Sequence, residues 1–242
     1  VPSAARASVL LLLVAMCASR VVGEDPSDSR DPGLAPAERL HVLVERMRRE
    51  QESLQTLQAD FVQTKESSML LETVEATGTF YYAAPDRVRW EYRTPDPISM
   101  VIADDRMTTW YRDLERAEQV DIGRQSQKVL EYLGAGSSLG TLLDYFDVKL
   151  HQPEDPSAPL QLELEPRFER VAKRLSGMSL WIDPELFLPV RLRYVEADGD
   201  VTDYRFSGFR LNGEIPDERF ELDLPDSVAL RTIDLGRGGG RR

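Results

Sequence analysis

The chain has 242 residues, 41% of them hydrophobic, and 30 basic against 42 acidic side chains leave a formal charge of −12. That balance repels a nucleic-acid backbone, so no nucleic-acid partner is expected. The length suits one large all-β or α+β domain with a true apolar core, and two domains are not required.

Arg6 precedes a nearly unbroken apolar run from Ala7 to Ala18, with Val9 to Val14 at its centre. The run is too short to span a bilayer comfortably and suits the central region of a signal peptide. Cleavage is expected near Gly23, which makes residues 1–23 the signal peptide. Cys17, the only cysteine, lies inside this segment, and Met16 before it is larger than a lipid-attachment signal would want. After cleavage the chain would have no disulfide, thiol chemistry or cysteine-bound metal. Residues 24–36 are polar and Pro-rich and are expected to be disordered. The folded domain is expected over residues 37–230, followed by a flexible Gly- and Arg-rich tail over 231–242.

Pro36 suits the first turn of a helix in which Leu40, Leu43, Val44 and Met47 fall on one face, ending near Ser53–Gln55. A strand follows, with Ala59, Phe61 and Gln63 alternating with Asp60, Val62 and Thr64. Leu70 to Thr79 reads as a second strand, running into a hairpin over Thr77–Tyr92 that turns at Pro85-Asp86. In that hairpin Gly78, Phe80 and Tyr82 share a face with Val88, Trp90 and Tyr92. Arg87, Arg89 and Glu91 take the other face, and the two arginines are expected to point to solvent. Ile98, Met100 and Ile102 form the apolar face of another strand, and Asp104-Asp105 reads as a turn rather than a metal site. Met107 to Leu114 returns, with the inward choice between Trp110 and Tyr111 left open by the pattern.

Gln125–Leu133 and Ser137–Phe146 look helical, the second with Leu139, Leu142, Leu143 and Phe146 at helical spacing. A loop over 152–159 leads back to strands: Leu160, Leu162 and Leu164; Met178, Leu180 and Ile182; Val190, Leu192 and Tyr194; Thr202, Tyr204 and Phe206. Asp198-Gly199-Asp200 and Asn212-Gly213 mark turns, and Phe220–Leu224 reads as a last short strand.

Catalytic chemistry finds little footing. His41 and His151 have no Ser/Asp constellation nearby, and neither a Gly-rich phosphate loop nor a paired-histidine metal spacing occurs. The expectation is a non-enzyme with no cofactor and no metal.

Several stretches in order carry a family resemblance: Gln58-Ala-Asp-Phe-Val-Gln63, Gly78 to Pro85, Arg89-Trp-Glu-Tyr92, Trp110-Tyr111, Glu118-Gln-Val120, Leu180-Trp-Ile-Asp183, Pro189 to Tyr194 and Thr202 to Phe206. Together they resemble the outer-membrane lipoprotein carrier proteins of the LolA family over about residues 38–230. The resemblance implies an α+β fold: a strongly curved antiparallel sheet, an unclosed half-barrel, with an N-terminal helix and lid helices over its apolar concave face. It implies a monomeric periplasmic carrier that takes acylated lipoproteins from an inner-membrane releasing complex to an outer-membrane receptor. A single-domain lipid or lipoprotein sensor, or a carrier of another amphiphile such as a glycolipid, is the alternative. The lipid-contacting residues would be Phe61, Phe80, Tyr82, Val88, Trp90, Tyr92, Met100, Ile102, Leu139, Leu142, Leu143, Phe146, Leu180, Ile182 and Tyr204. Trp90, as a cavity wall, would be loosely packed on one side. One departure stands out. Family members often have an arginine before the hairpin proline that holds the lid, and here Ala84 occupies that place, so no gating arginine is carried over.

Overall fold

The computed structural model describes residues 33–67, 72–122 and 144–233. The segment expected as signal peptide and most of the expected leader lie outside them, as do Leu139, Leu142, Leu143, the expected helix Gln125–Leu133 and the start of the strand expected from Leu70.

Helix α1 (Pro36–Ser53) begins where the Ala35 N–H donates to the Glu38 carboxylate at 2.9 Å, satisfying a donor that no helical turn could reach. Leu43, Val44 and Met47 are buried and Leu40 partly so, as the helical spacing expects. The strands follow in two runs. The first holds β1 (Thr56–Glu66), β2 (Val74–Ala83), β3 (Arg87–Thr94), β4 (Ile98–Ala103), β5 (Arg106–Tyr111) and β6 (Arg116–Asp121). The second holds β7 (Phe146–His151), β8 (Leu160–Pro166), a short helix α2 (Glu169–Ala172), β9 (Leu175–Ile182), β10 (Pro189–Glu196) and β11 (Val201–Leu211). Strand β12 (Ala229–Ile233) comes last.

Among the described residues these make one sheet of 12 strands in the order β12-β6-β5-β4-β3-β2-β1-β11-β10-β9-β8-β7. Each run is a meander, and β1 paired with β11 joins the two. The pairs are antiparallel except β12 on β6, which is parallel. Strands β12 and β7 end the sheet without meeting, so it is an unclosed half-barrel.

Curvature follows from one measurement. Strands β3 and β11 are three spacings apart, about 14 Å in a flat sheet. The ring centroids of Trp90 on β3 and Tyr204 on β11 are nevertheless 5.8 Å apart. Only a sheet curling towards that face brings them together, so this face is concave. Helix α1 packs against it through Leu43, Val44 and Met47.

Three elements differ from expectation. Phe146 does not close a helix: only Asp144 and Tyr145 are helical among the described residues before it, and Phe146 opens β7. Val148 and Leu150 continue its period-two face, which the helical spacing from Leu139 had masked. Phe220–Leu224 is not a strand. Asp217–Phe220 is a turn of tight helix, because two nearby carbonyls are taken by Arg89 rather than by a sheet partner. The last strand is instead β12, which runs to Ile233, into the segment expected as tail. The open choice on β5 is also resolved. Tyr111 pairs with Ile98 on the concave side, while Trp110 pairs with Ser99 on the convex side beneath the Arg112 guanidinium, 4.7 Å from the ring centroid.

Candidate functional site

The concave face is built in rows by the register. One row joins Tyr82, Val88, Ile102, Met107 and Val120 across β2 to β6. The next joins Phe80, Trp90 and Met100. On the other half Tyr204, Leu192, Leu180, Leu162 and Leu150 lie in one row across β11 to β7. Strand alternation alone gives each strand one apolar edge, and the register merges those edges into a continuous surface.

Of the residues expected from sequence, Phe61, Tyr82, Val88, Trp90, Met100, Ile102, Phe146, Leu180, Ile182 and Tyr204 are buried in one cluster, and Phe80 and Tyr92 pack against it. Leu139, Leu142 and Leu143 lie outside the described residues. The same cluster contains Leu160, Leu162, Leu164, Leu192 and Tyr194. Their alternation was plain in the sequence, but nothing there tied them to the first half.

Trp90 is the hub. Its ring centroid lies 4.7 Å from Phe80, 4.9 Å from Phe61, 5.8 Å from Tyr204, 6.0 Å from Phe206 and 6.5 Å from Tyr92. Only 2% of it is exposed. It is therefore not the loosely packed wall residue expected: curvature folds rings from β11 onto it as well as those from β1 and β2. Such tilted and edge-on ring pairs are favourable beyond their area.

Polarity changes along the strands. Along β1 the concave side runs Phe61, Gln63, Lys65, and along β11 it runs Phe206, Tyr204, Thr202. At the polar end Lys65 Nζ lies 3.4 Å from Asp200 and 4.0 Å from Glu196. Between the two ends the Tyr92 and Tyr204 hydroxyls meet at 3.2 Å. Burial pushes both phenols well above the ordinary tyrosine value, and for Tyr92 it does so against the hydrogen bond from Tyr204.

The convex face holds a second arrangement, which corrects the expectation for Arg89. Arg89 is buried, not solvent-facing. Its guanidinium donates to Glu91 at 2.6 Å and to the carbonyls of Arg219 and Glu221 at 3.0 and 3.1 Å. Arg112 and Ser99 also donate to Glu91, at 2.7 and 2.9 Å. Burial alone would raise the Glu91 pKa, but these hydrogen bonds outweigh it and hold the carboxyl below its ordinary 4.5. Arg87 pairs with Asp217 at 2.6 Å, and Phe220 fills a small core with Ala83 and Val101. A strap over residues 215–222 is thereby fixed across the back of β2 to β4. Sequence reasoning missed this because the covering strap comes about 130 residues later in the chain.

At the hairpin Ala84 packs against the concave cluster, and its N–H donates to the Gln55 carbonyl at 2.8 Å. Its methyl group has no hydrogen bond to offer a lid. Among the described residues no helix is long and apolar enough to cross a membrane.

The sequence model of the outer membrane lipoprotein carrier protein LolA matches residues 52–223, most of the chain and nearly all of the sheet just described. The chain belongs to this family. Among curated LolA-family relatives, the outer-membrane lipoprotein carrier protein of Alkalilimnicola ehrlichii is 29% identical over 197 residues, covering 77% of this chain and 80% of the relative. That of Hahella chejuensis is 26% identical over 178 residues, covering 73% and 81%. Among solved structures, a LolA superfamily protein from Nitrosomonas europaea aligns with 78% of this chain and 98% of its own, at a TM-score of 0.39 and 10% identity.

Proposed function

We propose that this LolA-family chain is a periplasmic carrier that shelters the acyl chains of lipoproteins in the concave face and moves them from the inner membrane towards the outer membrane. The observation that carries the reading is the continuous apolar concavity, fed by both meanders and left open at the β7 and β12 edges. Each methylene exposed to water costs about 0.8 kcal/mol, so a multiply acylated cargo needs such a surface to cross an aqueous compartment. The rings around Trp90 pack within the concavity. Acyl chains would replace ring–ring contacts with chain–ring contacts of similar strength, which lets cargo leave as well as enter.

The remaining parts of the proposal follow from the family. Leu139, Leu142 and Leu143, outside the described residues, are proposed as further lipid contacts. The releasing complex and the receptor would be membrane partners, and the chain would work as a monomer, without catalysis. The signal sequence would deliver it to the periplasm.

The test is mass spectrometry of molecules that co-purify with the periplasmic protein. Acylated lipoproteins are expected. Free phospholipid or glycolipid alone would indicate a different amphiphile. A clean empty protein that also refuses added acylated peptide would overturn the reading.

A further inference from the structure

Among the buried side-chain donors without a hydrogen-bond partner in the described residues are two on the concave face close to Tyr204: Trp90 Nε1 and Thr202 Oγ1. Their residues are 2% and 0% exposed, so water does not serve them from outside. Buried donors of this kind are rare in native proteins and destabilise the fold that contains them.

The two belong to one strip. Trp90 packs edge-on against Tyr204. Tyr204 pairs across strands with the buried Gln63 and lies two residues from Thr202 on the same face, and Thr202 pairs with Tyr194. The Tyr92 hydroxyl meets that of Tyr204. The strip starts in the apolar rows, where Trp90 pairs with Phe80 and Tyr204 lies in line with Leu192 and Leu180. It ends at Thr202, the direct partner of Lys65, whose ammonium meets Asp200 and Glu196. An amphiphile placed along this gradient puts its alkyl tails on the apolar rows and its linkage region on the strip.

We infer that Trp90 and Thr202, backed by the Tyr92–Tyr204 pair and Gln63, form a ledge that donates hydrogen bonds to the ester carbonyls of an acylated glyceryl group. An ester linkage offers strong carbonyl acceptors at the point where tails meet head. An ether linkage of the same length offers none. The ledge rests on the carrier reading, because without cargo these donors have nothing to meet. It adds a chemical preference and an orientation, with tails towards the apolar rows and head towards Lys65.

The experiment compares, by calorimetry, a synthetic lipopeptide with two ester-linked chains against its ether-linked counterpart. A diacyl phospholipid and its dialkyl ether run alongside, to show whether the ledge reads lipopeptide, phospholipid or both. The ester forms are expected to bind about three- to tenfold more tightly, the worth of one or two net hydrogen bonds. Thr202→Val should shrink that ratio. It should also raise the unfolding midpoint of the empty protein, because an unmet buried hydroxyl is gone. Equal affinity for ester and ether in both pairs, or a lowered midpoint in Thr202→Val, would overturn the ledge and leave the carrier intact. Failure of all four lipids to bind would overturn the carrier reading itself, and the ledge with it.

Discussion

The ring of Phe61 lies over Gly78, its direct partner on the neighbouring strand, and leaves no room for a side chain there. A Cβ built on Gly78 would overlap both Phe61 Cζ and the Glu91 carbonyl oxygen. Phe61 can therefore sink to the sheet surface, where it meets Trp90 and Tyr92 edge-on, each at 4.9 Å. Glycine here serves close approach rather than a turn.

Gly78→Ala should destabilise the protein by about 1–3 kcal/mol, the usual cost of overfilling a packed site. Urea unfolding measures it. The cost should shrink in a Phe61→Leu background, since the two positions share one space. Purely additive effects would mean that the clash is with the Glu91 carbonyl alone.

Arg89→Met should cost about 2–3 kcal/mol, somewhat less than the about 3–5 kcal/mol for breaking a fully buried pair, because Arg112 still neutralises Glu91. It should also free the strap. Hydrogen exchange in residues 217–222 should rise sharply while that of β8 to β10 does not change. Uniform acceleration would mean that the strap and sheet open as one unit.

What could be read in the sequence depended on whether a strand alternates apolar with polar or charged residues. Strands β3, β8 and β10 do, and their alternation placed Trp90, Leu162 and Leu192 correctly. Strand β7 was hidden because Phe146 fits a helical stripe after Leu139 as well as it fits a strand before Val148. Strand β12 was hidden because Ala229 to Thr232 are all exposed, so no apolar side marks it. The inward direction of Gln63 and Thr202 was legible from alternation. Their burial was not, since it depends on curvature that brings β3 and β11 together. Arg89 shows the same limit on the convex side. A strand arginine in a charged stripe reads as solvated until the strap covering it is known.

Glu91 gives an acid limb to stability. Its folded pKa is depressed, so its contribution is full above its ordinary 4.5 and is lost as pH falls through the lower folded value. Glu91→Gln should lower stability near neutral pH and flatten the decline below about pH 4.5. Unfolding midpoints from pH 7 down to pH 3 provide the check. An unchanged acid slope would assign the decline to other carboxylates.

The buried tyrosines give an alkaline limb. The folded phenols of Tyr92 and Tyr204 are raised, so the unfolded chain ionises first, near its ordinary 10.0, and stability falls as pH rises beyond that. Tyrosinate absorbance should show exposed residues titrating smoothly, with Tyr92 and Tyr204 appearing only as the fold is lost. Replacing both with phenylalanine should flatten the alkaline decline. Smooth titration of every tyrosine in a folded protein would show that solvent reaches the concave strip freely.

Trp90 separates a filled core from a fillable one. Five rings surround it, so Trp90→Ala should destabilise the empty protein by about 3–5 kcal/mol. In an ordinary core that would be the whole effect. In a lipid-binding concavity the truncation also clears space that acyl chains must otherwise open by displacing the indole, and an apolar void readily takes an apolar guest. The variant should therefore recover more stability on adding an acylated peptide than the natural protein gains, read as a larger rise in unfolding midpoint at the same peptide concentration. The same peptide without its acyl chains should produce no rise in either protein. Trp90→Leu, a milder truncation, should fall between them in both stability and recovery. A stability loss of the expected size with no recovery in either variant would make the Trp90 cluster a closed core, and acyl chains would then have to bind elsewhere on the chain.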